Sequence, residues 1–236
     1  MTLRLPRAAD VGTSYLASIS RGGRGRTASR PVRRRPEKPL EYYGFEACPY
    51  GRLVREALAE MDLDVLVHPC PEGGQRFRPR TQALGGKVQF PFLMDPNTDH
   101  KQYESLEIVR YLARTYGSDL VPAAGLTRRL AVAGSYLSSA LRLGRGVRAR
   151  ASMAPARPLE LYSFEASPYS RLVREVLDEL ELPYLLRNCG KQGHHRPALA
   201  ARAGKIQLPY LVDPNEGIEM FESAQIIEHL ERHYAA

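Results

Sequence analysis

The residue with the clearest chemical potential is Cys48, which stands between an alternating apolar stretch and Pro49. The alternation predicts a strand, and a proline at this point is typical of the first position of a helix. Cys48 is therefore the predicted N-cap, where its sulfur faces unpaired backbone amides and the positive end of the helix dipole. Arg52 and Arg55 follow one turn later. These features favour thiolate over thiol and predict a nucleophile; an inert buried cysteine is the alternative.

The segment around Cys48 occurs twice in the chain. Residues 40–58 match residues 159–177 at 14 of 19 positions, and residues 86–97 match residues 204–215 at 8 of 12. Matches of this quality in the same order along the chain indicate an internal duplication.

Each copy shows the same pattern of predicted elements, in the order βαβαββα. The first two strands, joined through a helix, predict a parallel pair with a right-handed crossover, and the last two predict an antiparallel hairpin on the same sheet. The predicted fold is α/β, with two tandem units that could share an interface. The predicted segments are a basic leader with a short helix (1–38), the first unit (39–117), a basic linker with a helix (118–157) and the second unit (158–236).

The formal net charge of +8 is segmented along the 236 residues. Residues 1–38 and 118–157 carry +8 and +6, whereas the two units carry −2 and −4. This distribution argues against a uniformly basic nucleic-acid-binding domain and predicts arginine-rich, solvated linkers, with binding of nucleic acid or anionic lipid by these arms as an alternative.

The basic leader also recurs, because residues 14–25 resemble residues 135–146. A cleavable targeting peptide would have no reason to recur in mid-chain, so a leader belonging to each unit is preferred over organelle targeting. Helical spacing of apolar side chains predicts that each leader docks as a short helix, followed by an exposed Gly/Arg linker. The apolar positions are Leu16, Ile19, Leu137 and Leu141.

The remaining composition argues against several classes of protein. Three cysteines exclude a disulfide framework and favour a reducing cytoplasm, with Cys70 and Cys189 as buried packing residues. No window holds enough apolar residues for a membrane span. The histidines lack a companion set with metal-ligand spacing, so surface histidines and no metal are predicted. These histidines are His194, His195, His229 and His233.

A resemblance to a known family follows from these motifs. The Cys48-Pro49-Tyr50 sequence opening a helix, the proline at the start of a strand in residues 86–97, and Glu104-Ser105 opening the last helix are similar to the thioredoxin-fold N-terminal domain of glutathione transferases and to glutaredoxins. The resemblance covers about two thirds of the chain and occurs twice. It implies two thioredoxin-like domains, as in tandem proteins of this kind, and glutathione as cosubstrate or ligand.

The resemblance also implies roles for individual residues. Cys48 matches the family's nucleophile, and Tyr50 and Arg52 of the same motif are assigned to the catalytic site with it. Binding of glutathione in the first unit is assigned to Lys87, Phe90, Pro91, Glu104 and Ser105. A second site is left open at Ser167, Lys205, Leu208, Pro209, Glu222 and Ser223. Pro91 and Pro209 match the family's cis-proline, and the Glu-Ser pairs match its box for the γ-glutamyl carboxylate.

Two departures from the family pattern limit the chemistry. Gly51 replaces the second cysteine of the usual glutaredoxin motif, so thiol chemistry at Cys48 must be monothiol. In the second unit Ser167 and Ser170 replace both positions, and Ser167 is either an activator of glutathione or a plain helix cap.

Three functions follow as hypotheses. The first is a cytoplasmic glutathione-dependent enzyme that transfers glutathione to or from a thiol or an electrophilic substrate at Cys48, with a degenerate second unit. The second is a non-catalytic scaffold that binds glutathione or a peptide. The third is binding of nucleic acid or anionic lipid by the arginine-rich arms, with nucleic acid disfavoured because aromatic residues are sparse there. Homodimerisation is left open.

Overall fold

The computed structural model describes residues 6–236, so residues 1–5 of the predicted leader lie outside the described residues. The helices are α1 (Arg7–Ile19), α2 (Pro49–Glu60), α3 (Arg78–Gly85), α4 (Ser105–Tyr116), α5 (Gly125–Ala140), α6 (Pro168–Glu179), α7 (His195–Ala203) and α8 (Ser223–Tyr234). The strands are β1 (Leu40–Gly44), β2 (Val65–Pro69), β3 (Phe92–Asp95), β4 (His100–Tyr103), β5 (Leu159–Ser163), β6 (Tyr184–Asn188), β7 (Tyr210–Asp213) and β8 (Ile218–Met220). The predicted βαβαββα order is confirmed in both units.

The strands of both units form one eight-stranded sheet in the order β4-β3-β1-β2-β6-β5-β7-β8. Within each unit the first two strands are parallel, and the last two form the predicted antiparallel hairpin. The units join where β2 and β6 pair antiparallel, with Val65 opposite Leu186 and Val67 opposite Tyr184. This pairing satisfies the backbone groups of two strands that would otherwise be sheet edges.

The core is shared between the units on one face of the sheet only. On that face one cluster of buried side chains includes Val54 of α2 and Val173 of α6. On the opposite face each unit has its own cluster, around Cys70 beside α3 and around Cys189 beside α7. Both cysteines are fully buried, and burial raises their thiol pKa values to about 12 and about 11. Their predicted role as packing residues is confirmed.

The leader helices, α1 and α5, each pack on the unit that does not follow them directly in sequence. α1 packs on α6 of the second unit, where the Ser14 hydroxyl donates to the Pro168 carbonyl at 2.8 Å. α5 packs on α2 of the first unit, where the Ser135 hydroxyl donates to the Pro49 carbonyl at 2.7 Å. The two leaders are thus exchanged between the duplicated units.

The predicted docking face of the leaders is wrong. Leu16 and Ile19 are 52% and 68% exposed, Leu137 is 55% exposed, and Leu141 is only half-buried. Serine faces the protein in their place, because a small side chain lets two helices approach closely and its hydroxyl can donate to a backbone carbonyl in the first turn of the neighbouring helix.

The predicted solvated arginine linkers are also wrong at the residues that follow each leader helix. Arg21 is buried and binds Glu56 through two hydrogen bonds of 2.7 Å. Arg142 is buried and binds Glu175 in the same way, at 2.6 and 2.7 Å. These paired guanidinium and carboxylate groups fix each leader to a unit helix, since bidentate pairs are the geometrically specific ones.

The histidines do not all lie on the surface as predicted. His229 is buried in the second unit, and its Nε2 lies 2.8 Å from the Asp213 carboxylate. Asp213 also accepts from the Tyr234 hydroxyl at 2.7 Å. The histidine therefore helps to satisfy a buried carboxylate beneath the β7–β8 turn.

Among residues 6–236, no helix is long and apolar enough to cross a bilayer.

Candidate functional site

Cys48 occupies the position that the sequence predicts. Its backbone is extended, Pro49 begins α2, and the Gly51 amide donates to the Cys48 sulfur at 3.3 Å. The sulfur is thus the cap of the helix, directed at the N-terminal amides by the proline that follows it.

The expected activation of this thiol is not supported. Cys48 is only 5% exposed, and burial raises the pKa of its thiol. The Gly51 amide and the Arg55 and Arg52 guanidinium groups act in the opposite direction but do not outweigh burial. The prediction that the helix terminus and the arginines favour the thiolate is therefore wrong in its net direction, because desolvation penalises the charged form.

The arginines of the Cys48 motif belong to a buried charge cluster between the units. We call it the interface cluster: Glu46, Arg52, Arg55, Glu165, Arg171 and Arg174. The Glu46 carboxylate accepts from Arg174 Nε at 2.9 Å, and the Glu165 carboxylate accepts from Arg55 Nε at 3.1 Å. Each unit therefore supplies an arginine to the other unit's carboxylate.

Arg52, predicted as catalytic, lies within this cluster. It is 1% exposed, and its guanidinium lies 3.5 Å from Glu165 and 3.9 Å from Glu46. Its equivalent Arg171 lies 3.4 Å from Glu46. The two copies of this motif meet at the interface and are related by an approximate twofold axis. This shared contact accounts for the strong sequence match between them.

Alkylation of Cys48 tests the effect of burial on the thiol. We expect iodoacetamide to modify Cys48 with a rate midpoint above that of an unperturbed cysteine, about pH 8.5, because burial raises its pKa. Mass spectrometry of the labelled peptide across pH measures the midpoint, with Cys48→Ser as the control for the site of labelling. A midpoint below the ordinary value would contradict the burial argument and restore an activated thiolate.

The glycine that replaces the second motif cysteine has a steric cause. A side chain at Gly51 would place its Cβ 2.5 Å from the Tyr42 hydroxyl oxygen, and one at Gly44 would place it 2.6 Å away. Tyr42 is 1% exposed and fills this space above β1. The first unit therefore excludes any side chain at position 51 as long as tyrosine occupies position 42.

The second unit fills the equivalent space differently. Leu161 replaces Tyr42, and serines replace both glycines. Ser167 caps α6, accepting from the Ser170 amide at 3.2 Å and from the Ser170 hydroxyl at 2.8 Å. Ser167 is 3% exposed, which supports the helix-cap interpretation over activation of a ligand.

The Phe90 and Glu104 residues of the first unit lie at the ends of the elements that the sequence predicts. The Phe90-Pro91 bond is cis, and the Phe90 ring packs edge-on against Phe45 at 6.2 Å. Glu104 has φ +67° before α4, and its carboxylate accepts from the Gln89 side-chain Nε2 at 2.6 Å.

Helix α5 lies over this end of the first unit. Tyr50, 39% exposed, packs edge-on against Tyr136 of α5 at 5.9 Å. Ser105, at the start of α4, lines a cavity of only about 30 Å³ together with Arg128 and Ala131 of the same leader helix. Phe90, Pro91 and Glu104 do not line this cavity.

The second unit has a cavity of about 920 Å³ beside its cis-proline. Its walls bring together two sequence elements that the resemblance assigned to a second site. These elements are Leu208 with Pro209, which are joined by a cis bond, and the Glu222-Ser223 pair at the start of α8. Gln207 donates a hydrogen bond to the Glu222 carboxylate. The volume is within the range of small-molecule sites in proteins.

Five residues of this cavity were not predicted. Arg7, Ala8 and Val11 come from α1, Tyr169 follows Pro168 in α6, and Gln207 precedes the cis bond. Only the recurrence of the leader in the sequence hinted that α1 belongs near a unit. The choice of unit depends on the exchange of leaders, which no local pattern encodes.

The predicted lysines lie at the rim of each unit with their charges over aromatic rings. Lys87 Nζ is 4.5 Å from the centre of the Tyr103 ring, and Lys205 Nζ is 4.6 Å from that of Phe221. Neither lysine lines a described cavity.

One group of side chains has the composition of a metal site. Ligand atoms of Asp64, His194 and His195 lie within 4.8 Å of one another. His195 Nε2 lies 2.6 Å from the Asp64 carboxylate, which also accepts from Arg187 at 3.1 Å, and His194 Nδ1 lies 2.7 Å from Asp62. These contacts pair carboxylates of the first unit with two histidines and an arginine of the second and account for the group as an interface contact.

Comparisons with known proteins agree with the two thioredoxin-like units. The family profile described as "Glutathione S-transferase, N-terminal domain" matches residues 43–120 and 161–236. The glutathione S-transferase-like protein OpS6 of Beauveria bassiana is 34% identical over 82 residues, which is 35% of this chain and 38% of that protein. The match thus spans less than two fifths of the relative. No solved structure matches.

Proposed function

Since the chain belongs to the glutathione S-transferase N-terminal domain family, we propose that it binds glutathione in the cavity of the second unit. The observation that carries this proposal is the cavity of about 920 Å³ bounded by Leu208, Glu222 and Ser223. The family suggests a glutathione transferase-like function, and the location of the site is our proposal.

The walls of the cavity match the charges of glutathione. The tripeptide carries two carboxylates and one ammonium group. Arg7 supplies a cation for a carboxylate, the Glu222 carboxylate suits the ammonium group, and the start of α8 offers backbone amides to a second carboxylate. Leu208 and Val11 supply apolar surface beside them.

Calorimetry on the full chain tests the site. We expect Glu222→Gln to weaken glutathione binding on the order of tenfold, because it removes a charge-assisted hydrogen bond. Glu104→Gln is the matched control, since Glu104 holds the same position in the first unit. It should change the affinity less than twofold.

The opposite pattern of glutathione affinities would assign the ligand to the first unit. If Glu104→Gln abolished binding and Glu222→Gln did not, the ligand would bind in the first unit beside Cys48. No heat of binding with the wild-type chain would reject glutathione as the ligand.

A second candidate function is monothiol transfer at Cys48. The hydrogen bond from the Gly51 amide to the Cys48 sulfur favours it, because this amide stabilises a thiolate. Turnover of hydroxyethyl disulfide with glutathione, lost in Cys48→Ser, would support this function. Turnover that survives Cys48→Ser would reject it, whereas the binding site in the second unit would be unaffected by either result.

A further inference from the structure

On each leader helix the apolar side faces solvent and a polar, serine-containing side faces the units. Ser14 and Ser135 are fully buried against the unit helices, whereas Leu16 and Leu137, two residues further on, are 52% and 55% exposed. Two residues along an α-helix correspond to a rotation of about 200°, so each leucine points away from the unit that its serine contacts. Both leaders thus present an apolar side to solvent.

This exposed side extends along both helices. We call it the outer face, and its large apolar members are Leu16, Ile19, Leu126, Leu130 and Leu137. Leu126 and Leu130 are 70% and 63% exposed and share one side of α5 with Leu137. The two helices contact each other, with the Ser138 hydroxyl donating to the Ala17 carbonyl at 2.6 Å. The outer face is therefore an adjacent pair of apolar helix sides.

A concentration of exposed apolar side chains of this kind marks a surface that binds a partner. Most of the large exposed apolar residues of the described chain lie on the leaders or the segments next to them. A surface helix normally shows the opposite arrangement, with its apolar side chains toward the core.

The charge around the outer face is positive. Arg129 is exposed on α5, three residues after Leu126 and one before Leu130, at the edge of the outer face. The acidic residue of the two leader helices is Asp10, and its carboxylate is neutralised by Arg142 at 2.6 Å and Arg145 at 3.1 Å. A second copy would oppose arginine to arginine, whereas an anionic surface would attract them.

We propose that the outer face binds an anionic lipid bilayer, with α1 and α5 lying in the plane of the headgroups. The leucines and Ile19 enter the apolar boundary, and Arg129 binds a lipid phosphate. Tyr15 and Tyr136, 45% and 50% exposed, lie at the sides of the helices, where tyrosine suits the interface between water and lipid. The proposal is independent of glutathione binding.

Vesicle flotation of the full chain tests the proposal, with phosphatidylcholine vesicles prepared with and without phosphatidylglycerol. We expect binding to the anionic vesicles, and a partition coefficient lower on the order of tenfold in Leu16→Ser/Leu137→Ser, because two apolar side chains leave the lipid. The matched control is Val88→Ser/Ile206→Ser. These residues are an equivalent pair on the units, 44% and 42% exposed, and their replacement should leave binding unchanged.

Three results would overturn the proposal. The first is no flotation of the wild-type chain with anionic vesicles. The second is equal flotation of the leucine variant and the wild type, which would mean that charge alone binds the vesicles. The third is a wild-type dimer that the leucine variant converts to a monomer in light scattering, which would assign the outer face to a second copy.

Discussion

Replacing Glu46 with glutamine should lower the free energy of unfolding by about 3–5 kcal/mol, the largest effect expected from one substitution in this chain. Glu46 is 3% exposed and accepts hydrogen bonds from Arg174 at 2.9 and 3.1 Å. It also lies 3.3 Å from the Arg55 guanidinium. Without its charge, buried arginines of both units lose a counter-ion that water cannot replace.

The matched control is Glu228→Gln, which removes the same charge from an exposed pair. Glu228 and Arg232 are 68% and 66% exposed in their side chains, so this variant should lose less than about 0.5 kcal/mol. Urea unfolding of both variants measures the difference. A loss at Glu46 no larger than that at Glu228 would mean that the interface cluster does not stabilise the joined units.

The Glu46 effect should depend on pH. Burial raises the pKa of Glu46, but Arg174 and Arg55 outweigh it and hold this pKa well below its usual 4.5. A carboxylate with a lowered folded-state pKa contributes its full stability above the unfolded value and loses it as the pH falls. The difference between wild type and Glu46→Gln should therefore be largest near neutral pH and shrink progressively below about pH 4.5. A difference that grew on acidification would contradict this sign.

Introducing a side chain at Gly51 should also lower the free energy of unfolding, and the size of this loss should depend on Tyr42. We expect Gly51→Ser to destabilise the chain by about 1–3 kcal/mol, because its Cβ would lie 2.5 Å from the Tyr42 hydroxyl oxygen in a closely packed site. Tyr42→Leu, which copies the second unit, should remove most of this cost. The measurement is a double-mutant cycle of unfolding free energies.

Gly12→Ser provides the matched control for the Gly51 substitution. Gly12 is also helical, but no atom lies within 4 Å of a Cβ built there, so serine should be neutral or slightly stabilising. Additive effects of Gly51→Ser and Tyr42→Leu would contradict a direct clash. If the coupling is found, the monothiol motif follows from packing above β1, and a second motif cysteine would require a smaller residue at position 42.

Much of the fold follows from local sequence. Alternation before Cys48, the proline at position 49 and the turn residues of each hairpin predict the order of the elements, since such signals depend only on neighbouring residues. The position of Cys48 as a helix cap was predicted for the same reason. Its thiol pKa was not, because burial is a property of the surroundings and here outweighs the local amides and arginines.

The environment of the candidate site depended on packing across the chain. The sequence assigned glutathione binding first to Glu104, whereas the large cavity lies beside Glu222. One wall of that cavity comes from Arg7 and Val11 of α1, a leader that precedes the other unit in the chain. The surroundings of the motif therefore include a segment far from it in sequence.

The sequence by itself determined the duplication, the order of elements in each unit, the helix-cap position of Cys48 and the excess of arginine in the leaders. Tertiary structure decided which unit each leader covers, which arginines are buried, and how the repeated arginine and glutamate residues pair. The physical reason is that strand and helix signals act between neighbours in sequence. The Arg21–Glu56 and Arg142–Glu175 pairs and the β2–β6 contact join residues far apart in the chain.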